Sequence, residues 1–230
     1  MFSSNCILLI LEELTISQVT LKDDSFDVYL TSGAFLTLLG SIIENYKKET
    51  GGIIIGSTGR RWIGGENRTL IIINSIFPSV TARSRRSVWK PNSKALERIE
   101  GFVQSFNLDI LGEYHSHPND TAELSDEDEK YIRDSYEKCL ELADEKIVDE
   151  HNNTLGWIEL IVRVTRVTYD KIRKEETKWW TPSNSNKLRG KIIIGKTGFD
   201  VTIGAWAYFP EIDEFQELPV YSEVCSSYES

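Results

Sequence analysis

Residues 112–132, GEYHSHPNDTAELSDEDEKYI, hold two of the three histidines of this 230-residue chain. The apolar residues before them predict a strand. Residues two apart on a strand face the same way, so His115 and His117 are expected to project together. The proline after His117 ends the strand, and Ser125 and Asp128 then fall in the first turn of a predicted helix. The stretch therefore predicts a strand, a loop and a helix that bring two imidazoles and a carboxylate together.

This set of side chains is typical of a metal site. Two neutral imidazoles and one carboxylate leave a fourth tetrahedral position for water, as in catalytic zinc sites, whereas calcium and magnesium prefer oxygen ligands. From the residues alone, two other interpretations stay open. Histidines at alternate positions of a strand need no ligand, and Ser125 with Asp128 also fits a helix capping box, in which each side chain accepts a backbone N–H.

The composition predicts a folded protein with a single domain over residues 1–230. Hydrophobic residues make up 40% of the chain and aromatic residues 10%, which is typical of a globular domain. The formal charge of −10 argues against nucleic acid as a partner, and the apolar run CILLIL is too short to span a membrane. A cytoplasmic protein is expected. Cys6, Cys139 and Cys225 are odd in number and far apart, so they are interpreted as buried thiols and not as a disulfide framework.

Apolar periodicity predicts strands and helices in an irregular order. Strands are predicted at 26–30, 51–57, 68–77, 108–117, 157–167, 191–195 and 199–209, and helices at 32–48, 96–106 and 125–147. A tight turn is expected at Gly64 and Gly65, an irregular basic loop at 81–93, and a polar hairpin or flap containing Trp179 and Trp180 at 169–189. Without a regular strand–helix repeat, this pattern predicts an α/β sandwich built on a mixed sheet.

The metal motif resembles the signature of a known family. HSHP, six residues, Ser125, two residues and Asp128 match every fixed position of the H-x-H-P-x(6)-S-x-x-D signature of the JAMM (MPN-plus) metalloproteases. Glu49, in ETGGIIIG, stands where that family carries a glutamate before a glycine-rich strand, and ARSRRSVWKPN is similar to a connector of its prokaryotic members. The resemblance covers about 26–167. It implies an MPN-type mixed central sheet flanked by helices, similar to that of cytidine deaminases, with further strands and the flap in 168–230.

The resemblance also implies a role for each site residue. His115, His117 and Asp128 would ligate one Zn²⁺, Glu49 would be the general base, and Ser125 would help hold the oxyanion. From the residues alone Glu113 competes with Glu49, because strand alternation puts it on the face of both histidines, where it could instead accept an imidazole N–H. Spacing does not choose between the two glutamates, and the resemblance favours Glu49. His151, in EHNNT, is expected in a solvated turn.

The function that the resemblance implies is a zinc isopeptidase or protease. Its partners would be ubiquitin-like proteins or small carrier proteins, cleaved at the C-terminal peptide or isopeptide bond; neither nucleic acid nor a membrane is expected to bind, and a homodimer is one candidate assembly. The basic loop at 81–90 and the flap with Trp179 and Trp180 are candidate walls of the substrate groove. The alternatives are a solvated loop for the first segment and a packed hairpin for the second.

The alternative function is a non-catalytic MPN scaffold that binds other proteins. Such relatives have lost metal ligands, whereas all five motif residues are present here. Two other zinc enzymes are disfavoured, because the chain has neither the H-x-E and P-C-x-x-C of a deaminase nor the H-E-x-x-H of a thermolysin-like protease.

Overall fold

The computed structural model describes residues 26–63, 66–80, 83–84, 89–90, 92–106, 108–139, 147–148, 154–172, 178–180, 185–210 and 212–226. Several predictions fall on residues or side chains outside this part of the chain. They concern the turn at Gly64 and Gly65, the thiols of Cys6 and Cys139, the side chain of Trp180, and His151.

The described chain contains fourteen strands, ten of which form one mixed sheet. In chain order they are β1 (Phe26–Leu30), β2 (Gly51–Ile63), β3 (Glu66–Pro78), β4 (Arg83–Ser84), β5 (Trp89–Lys90), β6 (Asp109–Pro118), β7 (Ile147–Val148), β8 (Thr154–Leu155), β9 (Trp157–Thr168), β10 (Lys178–Trp180), β11 (Leu188–Ile194), β12 (Thr197–Phe209), β13 (Glu214–Leu218) and β14 (Val220–Ser222). The sheet order is β10-β11-β12-β9-β6-β2-β3-β1-β14, and β13 also pairs with β12. β1 runs parallel to β3 and β14, and β6 runs parallel to β9. The predicted mixed sheet is therefore confirmed.

Four helices are described: α1 (Ser32–Glu44), α2 (Ser93–Gln104), α3 (Asp126–Cys139) and the single turn α4 (Glu223–Ser226). Helix α1 begins after Thr31, whose hydroxyl accepts the N–H of Ala34. Its apolar face joins the main core, which also contains Ile54 of β2 and Tyr114 of β6. The fold is thus α/β, as predicted, although it is richer in sheet than the sequence pattern indicated.

Helices α2 and α3 lie on the other face of the sheet. Val103 of α2 packs with Ile53 and Ile55 of β2, which alternate with the core residue Ile54. Ile132 and Tyr136 of α3 pack with Trp157 of β9 and Tyr208 of β12. Because Tyr114 points toward α1, its neighbours Glu113 and His115 point toward α2 and α3.

The prediction that the third helix continues to residue 147 is wrong. Ile147 and Val148 form β7 and pair with β8 at Leu155 and Thr154. Both residues are β-branched, and side chains of this kind favour a strand when a partner strand is within reach. Ile147 follows the apolar residue Ala143 by four positions. This spacing is also that of one face of a helix, which is why the sequence pattern predicts a helix here.

The predicted hairpin or flap and the predicted basic loop both contain strands. The hairpin is confirmed, because Lys178–Trp180 is the edge strand β10 and pairs antiparallel with β11. Trp179 is 7% exposed, and its ring lies 4.7 Å from that of Phe35. Trp179 is therefore a core residue and cannot form a wall of a substrate groove. The basic segment also contains an antiparallel pair, with Arg83 opposite Lys90, so it is not irregular throughout.

No helix in the described part of the chain is long and apolar enough to cross a membrane. The thiol-bearing residue Cys225 packs, partly buried, against the main core.

Candidate metal centre

Strand β6 presents His115 and His117 on one face, as the sequence predicted. Their Nε2 atoms are 3.0 Å apart, and His115 is only 7% exposed while His117 is half-buried. The strand is held at this point from both sides: it pairs with β2 through Gly51 opposite His115 and runs parallel to β9. The two imidazoles therefore lie on a rigid sheet and not on a loop.

Each imidazole is oriented by a hydrogen bond at Nδ1. Nδ1 of His115 lies 2.8 Å from Oε1 of Glu159, and Nδ1 of His117 lies 3.1 Å from the carbonyl oxygen of Thr121. A carbonyl oxygen can only accept, so the Nδ1 of His117 carries a proton. In a neutral imidazole the lone pair is then on Nε2, the atom that faces the other histidine.

The loop after β6 turns sharply to reach helix α3. Asn119 follows the proline with φ at 60°, a left-handed conformation that asparagine tolerates better than most residues, and its N–H donates to the carbonyl of Val164. This turn brings the carbonyl oxygen of Thr121 to Nδ1 of His117, and the chain then continues to helix α3.

Ser125 and Asp128 form the capping box of helix α3. The hydroxyl of Ser125 donates to Oδ2 of Asp128 at 2.7 Å, its N–H donates to the same oxygen at 2.9 Å, and the N–H of Asp128 donates to Oγ of Ser125 at 3.2 Å. The capping interpretation is confirmed. It does not compete with metal binding, because Oδ1 of Asp128 still lies 3.2 Å from Nε2 of His115.

The three side chains converge closely enough to share one metal ion, with Oδ1 of Asp128 nearest His115 and Oδ2 nearest His117. Zn–N distances of about 2.0–2.1 Å and Zn–O distances of about 2.0–2.2 Å put tetrahedral ligand atoms about 3.3–3.6 Å apart. Here the two Nε2 atoms are separated by 3.0 Å, and carboxylate oxygens of Asp128 lie 3.2 Å from Nε2 of His115 and 3.6 Å from Nε2 of His117. In the described part of the chain, this is the one group of three or more such side chains with metal-ligand spacing.

Carboxylates dominate the electrostatics of the site. Although burial alone lowers the pKa of His115, hydrogen bonds from its ring to Asp128 and Glu159 raise that pKa to about 10. Burial and the neighbouring His115 lower the pKa of His117. Burial alone would raise the pKa of Asp128, but hydrogen bonds from His115 and Ser125 bring it well below its ordinary value. A metal ion must therefore displace a proton from His115, so metal affinity should increase with pH.

Glu49 comes next to the histidines through the pairing of β2 with β6. The N–H of Ser116 donates to the carbonyl of Thr50, and the N–H of Thr50 donates to Oγ of Ser116. With Gly51 opposite His115, the same antiparallel register brings half-buried Glu49 opposite His117. Residues opposite one another in an antiparallel pair share a face. The observed pairing ends at Gly51, and its continuation by two residues is the basis for expecting Glu49 on the face that carries both histidines.

The Prok-JAB family model, described as prokaryotic homologues of the JAB domain, matches residues 33–177. This chain belongs to the Prok-JAB family. The matched region includes Glu49, His115, His117, Ser125 and Asp128, and the predicted membership of a prokaryotic JAMM-type family is confirmed.

Among solved structures, this Prok-JAB chain is similar to the solution structure of protein DSY2949 from Desulfitobacterium hafniense. The two are 13% identical with a TM-score of 0.45, over 85% of this chain and 92% of that one. A comparison with curated proteins found no significant match.

Two further carboxylates, Glu113 and Glu159, are buried close to His115 in the Prok-JAB chain. Glu113 and Glu159 are opposite one another in the β6–β9 register and are each 2% exposed. Burial raises the pKa of Glu113 to about 8, with a further contribution from the negative charge of Glu159. Glu159 accepts the indole N–H of Trp157 at 3.2 Å as well as contacting His115. Burial raises the pKa of Glu159 as well, while its hydrogen bonds with His115 and Trp157 oppose that rise.

Glu159, and not the candidate Glu113, is the carboxylate that contacts Nδ1 of His115. Strand alternation correctly put Glu113 on the histidine face, but Glu159 forms the hydrogen bond to Nδ1. The available signal was a lone acid in the apolar strand WIELIV, since a buried carboxylate needs partners. Its partner could be found only by knowing that β9 runs beside β6.

Proposed function

We propose that this Prok-JAB chain is a zinc-dependent metalloprotease that hydrolyses the C-terminal peptide or isopeptide bond of a ubiquitin-like or small carrier protein. The supporting observation is the convergence of His115, His117 and Asp128 at a spacing that could hold one metal ion, in a chain of this family. The substrate class follows from the resemblance to JAMM isopeptidases, and a cytoplasmic location is part of the same proposal.

The proposed chemistry divides between the ion and the chain. When bound, zinc supplies a Lewis acid and a water that is nucleophilic near neutral pH. Glu49 takes one proton from the attacking water and delivers it to the departing amine, so that the C–N bond breaks and the water oxygen stays on the new carboxyl group. The register that aligns Glu49 with His117 supports this role, because a general base must lie within hydrogen-bonding reach of the nucleophile.

Ser125 has two roles in the proposal. Its hydroxyl donates to Oδ2 of Asp128, which orients the carboxylate whose other oxygen faces His115. It would also donate to the developing oxyanion, and for this the hydroxyl must turn away from Asp128. Because Ser125 is exposed at the start of α3, this rotation meets no buried barrier.

The test is to measure zinc content and cleavage on the same protein. Purified chain, stripped with a chelator and reloaded, should bind one zinc as determined by elemental analysis, and should cleave a ubiquitin-like fusion only when loaded. His115→Ala and His117→Ala should lose both properties, and His151→Ala, which changes the third histidine, should lose neither.

Two results would count against the proposal. A wild-type chain without zinc after reloading would remove the metal site. A chain that binds zinc through His115 and His117 but cleaves none of a panel of ubiquitin-like and carrier fusions would favour the non-catalytic scaffold.

A further inference from the structure

A buried carboxylate on β9 holds the imidazole of His115. Oε1 of Glu159 lies 2.8 Å from Nδ1 of His115, and Oε2 lies 3.2 Å from Nε1 of Trp157. Glu159 is 2% exposed and Trp157 is 8% exposed, so water competes little for either contact. Trp157 is itself fixed, because it packs with Tyr136 of α3 and Tyr208 of β12.

Both neighbours of Glu159 are hydrogen-bond donors. An indole N–H cannot accept, so Oε2 must accept from Trp157. At Oε1 the carboxylate accepts from Nδ1 of His115. An imidazole with its proton on Nδ1 presents the Nε2 lone pair, and Nε2 is the atom that lies 3.0 Å from His117 and 3.2 Å from Asp128.

We propose that Glu159 is a positioning residue of the metal centre: Trp157 fixes one of its oxygens, and the other selects the His115 tautomer and ring orientation that turn Nε2 toward His117 and Asp128. This inference rests on the proposed zinc site. Metal-ligating histidines generally donate their second N–H to a carboxylate or carbonyl, and loss of that partner typically lowers metal affinity by about 10–100-fold.

Glutamine at position 159 tests the role because both neighbours donate. An amide has one accepting oxygen and one donating NH₂ group. If the oxygen accepts from Trp157, the NH₂ group faces Nδ1 of His115 and is satisfied only when Nδ1 is unprotonated. The proton of a neutral imidazole then sits on Nε2, which cannot bind a metal. Glu159→Gln is therefore expected to lower zinc affinity by about 10–100-fold while the chain stays folded.

Removing the indole N–H should reverse part of this loss. In the double variant Trp157→Phe/Glu159→Gln, the amide oxygen no longer has a donor at position 157 and can turn to accept from His115. The double variant should thus bind zinc about tenfold or more tightly than Glu159→Gln alone. If Glu159 were only a structural residue of the core, a second buried change would leave affinity equal or make it weaker.

The experiment measures zinc dissociation constants by competition with a chromophoric chelator. It uses the full chain as wild type, Glu159→Gln, Trp157→Phe and the double variant, together with the melting temperature of each metal-free protein. Trp157→Phe alone keeps the carboxylate beside His115 but removes the bond that fixes its other oxygen, so its zinc affinity should lie between those of wild type and Glu159→Gln.

Each outcome supports or overturns a specific claim. Equal affinity of wild type and Glu159→Gln, or a double variant that binds zinc no more tightly than Glu159→Gln, overturns the role of Glu159 and leaves the zinc site intact. A wild type that binds no zinc overturns both. Should Glu159→Gln fail to fold, Glu159→Asp keeps the charge but withdraws the oxygen from Nδ1 by one methylene. The same loss of affinity is then expected, and unchanged affinity would overturn the inference.

Discussion

Replacing Ser125 with alanine separates the two roles that the structure allows this residue. The change removes the 2.7 Å bond from the hydroxyl to Oδ2 of Asp128 and the 3.2 Å bond from the N–H of Asp128. The 2.9 Å bond from the backbone N–H of residue 125 survives, so half of the capping box remains. Loss of an N-cap side chain costs about 1 kcal/mol, which in a chain of this size lowers the melting temperature by about 2–4 °C.

The proposed oxyanion contact adds a much larger effect on turnover. One donor to a developing oxyanion is worth about 100–1,000-fold in kcat. The assay therefore compares melting temperature, bound zinc and cleavage of a ubiquitin-like fusion at saturating zinc. Asn92→Ala is the matched control, because Asn92 caps α2 through the N–H of Ala95 and lies outside the site. We expect both variants to lose similar stability and only Ser125→Ala to lose turnover. Unchanged turnover in Ser125→Ala would show that the residue is a helix cap and no more.

Two further predictions concern the sheet that carries the site. In metal-free protein, Glu113 has a folded-state pKa of about 8 against an ordinary value of 4.5, so the folded state holds a proton that the unfolded state releases between these values. The contribution of Glu113 to stability should therefore fall as pH rises from about 4.5 to 8, by at most about 1.4 kcal/mol per pH unit. Glu113→Gln should remove this contribution and reduce the pH slope in denaturant titrations, and an unchanged slope would refute the assignment. A Cβ at Gly112 would lie 1.8 Å from the carbonyl oxygen of Ile158, which is backbone and cannot move aside, so Gly112→Ala should cost more than about 4 kcal/mol or prevent folding. Gly101→Ala, on α2 with no atom within 4 Å of the added Cβ, should instead be neutral or stabilising by about 0.5–1 kcal/mol, and equal behaviour of the two variants would contradict the packing described.

Local sequence patterns predicted the parts of the site that are close in the chain. His115 and His117 share a face because strand periodicity is local, and Ser125 and Asp128 meet because they are three residues apart at a helix start. Glu49 was predicted through its family resemblance. Its alignment with His117 depends on the pairing of β2 with β6, which strand periodicity alone does not predict.

Long-range pairing explains what the sequence did not predict. Glu159 reaches His115 because β6 and β9 run parallel, and 44 residues separate the two side chains in the chain. Trp179 lies in a polar stretch that predicts a hairpin, but the sequence pattern does not show that this hairpin packs its ring against Phe35 of α1. In both cases a tertiary contact decides the environment of the side chain, and apolar periodicity carries no information about it.

The variant Glu49→Gln separates proton transfer from metal binding. An amide of nearly the same shape should leave the fold and the zinc ligands in place while it removes the proton acceptor. Loss of general acid–base catalysis typically costs about 100–10,000-fold. Glu44→Gln is the matched control, because Glu44 is exposed at the end of α1 and outside the site.

The decisive measurement is the cleavage rate of a ubiquitin-like isopeptide substrate by Glu49→Gln protein shown to hold one zinc per chain. The cleavage rate of Glu49→Gln is expected to be at least about 100-fold below that of wild type with KM little changed. Glu44→Gln is expected to cleave at the wild-type rate. A zinc-loaded Glu49→Gln protein that cleaves at the wild-type rate would contradict the account, because Glu49 would then not be the base.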